Sequence, residues 1–436
     1  MRHAEKVNRI SQQLKEAEGL CSMNKGGVSH MLPLASDPRA RDRKVDLRGL
    51  NEILSIDPLG KVCTAEPGVT FFELVQETLK HGLIPRLVPE LKTITLGGAV
   101  SGCSVESTSF RWGGFHDSAL AYEMVTGNGE VLRCTPTENA EIFQLLHGSY
   151  GTLGVLTALT FPLIEAKPFV HLTYPKYQTF ESFFSALQEA CASGNYDFID
   201  AIIHRHDRYV LCLGNLVDEA PYQHRYQERI FYQSTWKREE DYLPIVDYFF
   251  RYDADCHWLS RKIPGLENPL VRKLAGKHLL SSTNLLRLSK RAAPFLAKVQ
   301  KRPDVVLDCF LPASRFEEFF RFLDQEMPFY PLWIVPYRIE RPYPFLADGF
   351  TQKIKDTLFI DCAIYGKENK QGVDLYTLLE EKLFELGGLK ALIARNTYPK
   401  ERFWEIYHRE RYLKVKETTD PTGRFRDLYD KVHCRG

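Results

Sequence analysis

The run Leu96-Gly97-Gly98-Ala99-Val100-Ser101-Gly102-Cys103-Ser104-Val105-Glu106-Ser107-Thr108-Ser109 decides how this chain is read. It continues through Trp112-Gly113-Gly114-Phe115-His116-Asp117 and closes at Gly148-Ser149-Tyr150-Gly151-Thr152-Leu153-Gly154-Val155. Glycine and serine fill the bends, and an apolar, strand-like run follows each bend. Glycine lets main chain come close to a ligand, and successive exposed N–H groups make anion-binding nests. The chemistry reads as a loop wrapped around a diphosphate and carried on a sheet. One Gly-Gly pair is ordinary turn punctuation; the ordered set carries the argument. Neither the G-x-G-x-x-G dinucleotide fingerprint nor the G-x-x-x-x-G-K-[ST] phosphate loop occurs.

Working outward, Val7 to Ala17 has helical periodicity, and Leu20 to Met23 reads as a short strand. Asn24 to His30 is a second Gly-rich loop. Asp37 to Lys44 is charged and reads as a mobile surface loop. Val45–Leu47, Ile53–Ile56 and Val62–Ala65 read as strands. Thr70-Phe71-Phe72-Glu73 is a capping box opening a helix to about His81. Tyr122–Thr126 and Val131–Cys134 flank Gly127-Asn128-Gly129, a hairpin signal. Asn139–Leu146 reads as a helix and Val155–Phe161 as a strand, with Pro162 and Pro168 marking a domain edge. Strand–helix–strand passages follow at 170–213 and 305–364, with Ser314 as the N-cap of the second helix, and a third helix at 372–386. They suit an antiparallel α+β domain.

The quoted motifs, with Val88-Pro89-Glu90-Leu91, resemble the FAD-binding domain of the vanillyl-alcohol-oxidase-type (PCMH-type) flavoproteins. Within that family they are most similar to the Δ24-sterol reductases and the bacterial methylene-fatty-acyl reductases. The resemblance continues through 249–269 and Pro331-Leu332-Trp333. It implies an α+β fold: a two-lobed FAD-binding domain at 1–167, and a substrate/cap domain with an antiparallel sheet at 168–390. A basic insert at about 240–302 lies within the cap, and 391–436 returns to the FAD domain through Asp420-Pro421. It implies FAD over Lys25, Gly26, Gly27 and Ser29, and over Gly97, Gly98, Ser101, Gly102, Glu106, Ser107 and Ser109. Gly113, Gly151, Thr152, Gly154 and Val155 would flank the cofactor. Some relatives attach FAD through a histidine near the first loop, but the spacing of His30 departs from that motif, so the flavin is expected to be non-covalent.

The resemblance further implies a reductase that saturates a carbon–carbon bond of a sterol-like or fatty-acyl lipid, with NADPH as reductant. The alternative is an oxidase or dehydrogenase of an alcohol or sugar derivative. An alkene reductase needs an acid beside one alkene carbon, and four candidates stand out. Glu106 is either that acid or a partner of the flavin loop, and His116 either acts or caps a turn. Asp361 sits in an otherwise apolar strand, and Tyr398 either acts or packs. Asp253, Asp255 and Trp258 fall in the matching middle block, against the substrate tunnel.

Composition bounds the rest. The chain has 436 residues, 44% hydrophobic and 26% charged, with net charge +1, so no global field argues for nucleic acid. Its ten cysteines form no C-x-x-C pair and no metal pattern; they read as reduced, mostly buried thiols. Met1–Lys6 lacks a signal-peptide pattern, and no apolar run reaches about 18 residues. The expectation is a cytoplasmic protein. From Arg261 to Arg302, eleven Lys/Arg face one acid, Glu267, with leucines interleaved. Such a stretch can lie on an anionic membrane surface. The oligomeric state is not legible.

Overall fold

The computed structural model describes residues 1–26, 38–226, 230–254, 304–339, 343–370 and 372–433. The basic stretch 261–302, together with Gly27, Ser29, His30, Asp255 and Trp258, lies outside them.

Strand Val155–Glu165 organises the first lobe. It pairs antiparallel with Val62–Ala65, Ala121–Val125 and Leu83–Pro85, inside a six-stranded sheet completed by Ile53–Asp57 and Val131–Cys134. It runs on through Pro162 rather than ending there. On the side away from Val62, Pro162 falls between two partner strands, so its missing N–H costs no ladder bond. The hairpin forms as read, with Val125 opposite Val131. The capping box also forms: Thr70 accepts from the Glu73 amide at 3.2 Å, and Glu73 accepts from the Thr70 amide at 2.9 Å.

The N-terminal helix His3–Lys15 buries Val7, Ile10 and Leu14. Lys6 and Glu66, both buried, meet at 2.9 Å and anchor it. Arg43–Asp46 pairs parallel with Cys21–Asn24. The segment read as a charged mobile loop is therefore partly strand. Its Asp42 is buried against Arg426 at 2.6 Å, a partner too far along the chain for local reading to find.

The second lobe is a nine-stranded sheet. Its order is Glu240–Pro244, Phe169–Thr173, Arg208–Val217, Phe198–Arg205, Leu332–Arg338, Leu358–Lys367, Val305–Pro312, Leu389–Lys390, with Lys176–Tyr177 also on Arg208–Val217. Every pairing in it is antiparallel. Strand side chains alternate between faces. Ile334, Ile360, Cys362, Leu307 and Cys309 pack with Phe183, Phe320 and Leu379, from helices Phe180–Ser193, Phe316–Glu326 and Leu375–Glu385. Trp333, Val335, Tyr337, Phe359 and Ala363 point the other way and join the core of the first lobe. Ser314 does not cap its helix; a 3-10 turn at Ala313–Arg315 intervenes, and Ser314 donates to Asp356 at 2.9 Å. The third helix starts at Leu375, because the Asp374 side chain caps it.

Helix Arg409–Thr419, in the C-terminal segment, lies on the first lobe. The Thr419 carbonyl accepts from the Gly127 amide at 2.7 Å, and the Tyr412 hydroxyl reaches Thr152 at 2.9 Å. Asp420 then accepts from the Arg424 and Phe425 amides at 2.7 and 2.8 Å, closing the Asp-Pro turn. A methyl group on Gly127 would sit 2.0 Å from the Asp420 carboxylate, which these bonds hold in place. Gly127→Ala should therefore lower stability by roughly 1–3 kcal/mol in denaturant titration. Gly349→Ala, which meets nothing within 4 Å, should change it by less than about 0.5 kcal/mol.

Candidate functional site

Two features mark the site, and the first suits an anionic, extended cofactor. Arg39, Arg426 and Lys431 line a cavity of about 270 Å³ with Cys21–Met23, Asp42 and Gly151. Burial pushes Lys431 down to about 7, and the neighbouring cations Arg39, Lys25 and Lys416 push the same way. Cations this close repel one another until an anion joins them, and a diphosphate is such an anion. Nearby, Asn396 is fully buried with neither side-chain amide atom hydrogen-bonded, and its backbone bridges to His433. The residues present therefore fit the diphosphate end of FAD.

The second feature is a slot of about 590 Å³ between the lobes. Gly102, Cys103, Gly148 and Tyr150 form one wall; Phe310, Tyr337, Phe359 and Leu392 face them. Cys103 and Tyr150 hold φ of 54° and 51°, left-handed values that cost a side chain energy. Such strain gathers at ligand sites. At the slot, Tyr343 donates to Asp117 at 2.6 Å and pairs with the Tyr337 hydroxyl. The His116 ring lies beside those of Tyr343 and His147, at 5.3 and 5.1 Å.

Buried carboxylates line the face of the cap sheet that meets the first lobe. Arg251 stands between Glu106 at 3.3 Å and Asp200 at 3.1 Å, all three buried. Asp200 also accepts from Tyr252 and Trp333, each at 2.9 Å. Burial raises Glu106 to about 7; Arg251 opposes the rise, while Asp200 and Glu90 add to it. Farther along, Asp361 is buried, and its Oδ1 has no hydrogen-bond partner. Burial, then Asp308 and Glu90, hold its carboxyl well above the usual range.

The sequence candidates fall into distinct places. Leu96–Ser101 is a turn of helix capped by Thr95, not a loop. Gly97 is glycine because Pro67 leaves 2.6 Å for a Cβ. Ser101 spends its hydroxyl on the Gly97 carbonyl, and Ser109 accepts from the Glu106 amide at 2.9 Å. Ser107 meets the Tyr248 hydroxyl at 2.9 Å, and its carbonyl takes the Ile199 amide at 2.8 Å. What these serines leave for a ligand is main chain. Gly113, at φ 71°, makes room for the Asp117 carboxylate, which caps the Gly114 amide. Gly102 lines the slot and Gly151 the cationic cavity. Gly26 lies against Arg48, and Gly98 is inside the helical turn. Thr152, Gly154 and Val155 are held inside the protein: Thr152 on Tyr412, Gly154 against Met124, and Val155 opposite Val125.

His116 lines the slot. Tyr398 is buried and donates to the Glu380 carbonyl at 2.6 Å, so its hydroxyl is committed to the cap helix. Asp253 accepts from the Lys92 amide at 3.0 Å and ties the lobes together. Sequence reading missed Arg251, Asp200, Asp308 and Lys431. Only the aspartates left a signal, as lone acids in apolar strands. Among the described residues, no group of three or more His, Cys, Asp or Glu side chains could hold a metal ion. No helix there is long and apolar enough to cross a membrane.

Residues 2–135 match the family of FAD binding domains. Fold and site together define the class: an FAD-dependent oxidoreductase with a PCMH-type FAD-binding domain. Along nearly its whole length the chain resembles the Delta(24)-sterol reductases. It is 26% identical to that of Homo sapiens over 453 residues, covering 99% of this chain and 86% of that protein. A Delta(24)-sterol reductase homolog of Caenorhabditis elegans is 28% identical over 471 residues, covering 99% and 88%. Cytokinin dehydrogenase 3 of Oryza sativa subsp. japonica is 34% identical over 116 residues, only 27% of this chain and 22% of that protein.

Two outcomes follow. An anionic diphosphate prefers Lys431 protonated, so FAD affinity should fall as pH rises above about 7, by up to tenfold per unit. Lys431→Met should bind FAD more weakly at about pH 6 and lose that slope, read by flavin fluorescence titration. Arg251→Met should destabilise the protein by about 3–5 kcal/mol, because two buried carboxylates lose their shared cation.

Proposed function

We propose that the protein reduces a carbon–carbon double bond in a sterol-like or fatty-acyl lipid, sterol-like foremost, using non-covalent FAD and NADPH as reductant. The observation that carries this reading is the slot, apolar and aromatic on its cap side and glycine-lined on the other. An apolar, aromatic lining with few polar groups suits an apolar ligand. Similarity to the Delta(24)-sterol reductases, at 99% of this chain, supports the same substrate class.

Lys25, Arg39, Arg426 and Lys431 would hold the diphosphate. The main chain of 96–109 and 148–154 would hold the rest. Once reduced by NADPH, bound FAD would supply the hydride that one alkene carbon takes up. The other carbon needs a proton, which the Asp361 carboxyl would give. Asp361 pairs across the sheet with Phe310 and lies two residues from Phe359, both of which line the slot. The ionised Asp361 then regains its proton from solvent. The basic stretch 261–302 would let the enzyme rest on an anionic membrane surface and draw its lipid from there.

The test is anaerobic. NADPH should bleach the flavin, and a sterol with a side-chain double bond should restore it. Asp361→Asn should keep NADPH bleaching within about twofold and slow the return by about 10²-fold or more, the scale of general-acid catalysis. A flavin bleached by an alcohol or sugar, and never restored by an alkene, would replace this reading with a dehydrogenase.

A further inference from the structure

Asp308 and Asp361 occupy neighbouring antiparallel strands. Asp361 stands opposite Phe310, and Asp308 opposite Ala363, so the two acids are diagonal neighbours on one face. That face is the one turned to the FAD lobe, because Leu307, Cys309, Ile360 and Cys362 point into the helix-packed core. Their surroundings differ. The Tyr365 hydroxyl donates to Asp308 Oδ1. Asp361 Oδ1 has no donor, and the residue is only 1% exposed. A carboxylate that receives a hydrogen bond is favoured as the anion, and a buried one without a donor as the acid. Neighbouring carboxylates that interact lose their protons as a pair, in separate steps.

We infer that Asp308, kept ionised by Tyr365, is a positioning residue that holds Asp361 in its acid form. The inference rests on the proposed role of Asp361 as proton donor. Asp308 gives no proton itself; its fixed negative charge keeps one on its neighbour. Glu90, from the FAD lobe, adds a second acid facing Asp361. Cys309 and Cys362 lie on the opposite face of the sheet, and Lys390, paired across from Cys309, gives its ammonium to Glu380. Among the described residues, then, the charged groups facing Asp361 are acidic. The burial and neighbours that raise Asp361 agree with this arrangement.

The experiment uses FAD-loaded enzyme labelled with carbon-13 aspartate and records the infrared carboxylic acid C=O band as pH rises. Asp361→Asn assigns the band. In the wild type it should persist through neutral pH. In Asp308→Asn its loss should move down by about one to three pH units, the effect of removing one close like charge. The alkaline limb of alkene-driven flavin reoxidation should move with it. Tyr365→Phe should bring a second carboxylic band, from Asp308. An Asp361 band absent from the wild type at neutral pH, or unmoved in an Asp308→Asn enzyme that still binds FAD, would overturn the inference. Should Asp308→Asn fail to bind FAD, an unchanged spectrum in Tyr365→Phe overturns it instead. The band is read without any alkene. Bands that behave as stated in an enzyme that turns over no alkene support the pair and defeat the proposed function. Alkene turnover with an unmoved band does the reverse.

Discussion

The relation between the lobes depends on one buried cation. Arg251 is 2% exposed, lies 4.3 Å over the Tyr248 ring, and reaches Glu106 from the FAD lobe and Asp200 from the cap sheet. Taking a guanidinium out of water is costly unless its partners come with it. Here they come from opposite sides, so the ion set forms only when the lobes meet. One cation serving two carboxylates leaves a negative charge too many; burial first, and then Asp200 and Glu90 against the pull of Arg251, let Glu106 hold its proton up to about 7. The same turn is fixed by main chain, through the Ser107 carbonyl and the Ile199 amide. The FAD-side motif is thus locked to the cap by charge and by ladder-type bonding together.

That lock makes the cap sheet two-sided. One face is filled by helices and the other by the FAD lobe, so alternation along each strand decides where every side chain goes. An acid between two helix-facing apolar residues must face the FAD lobe. This holds for Asp200 between Ile199 and Ala201, for Asp308 between Leu307 and Cys309, and for Asp361 between Ile360 and Cys362. Three of the sheet's acids thereby stand on the face that the cofactor domain covers.

What could be read in the sequence was local. The Thr70 capping box, the Gly127–Gly129 hairpin and most strands of both lobes follow from short-range pattern, whereas Leu83–Pro85, Lys176–Tyr177, Glu240–Pro244 and Leu389–Lys390 are not read as strands from sequence. Leu96–Ser101 was read as loop because glycine disfavours helix; the turn persists because its glycines let it sit against Pro67. Ser314 looked like a cap, but Asp356, forty-two residues away, claims it. Asp361 was visible as a lone acid, and Asp200 follows the same Phe-Ile-Asp order, yet only the sheet register shows that they share a face. The cations around Lys431 come from both ends of the chain, and no local pattern joins them. Nor could sequence reveal that Tyr398 turns its hydroxyl to a helix carbonyl.

The two ends of the site carry opposite unbalanced sets of like charges, cationic in the first lobe and acidic along the cap sheet. Around Gly151 the excess is positive: burial, then Arg39, Lys25 and Lys416, push Lys431 down, and an incoming anion would restore balance. Along the cap sheet beyond Arg251 the excess is negative: burial, then Asp308 and Glu90, raise Asp361, and a retained proton would restore balance. Net charge of +1 over the chain conceals both. Were the two sets adjacent, they would neutralise each other, and neither the anion nor the proton would be held. Kept apart, the two sets would let one fold grip a diphosphate at one end and keep an acid protonated at the other.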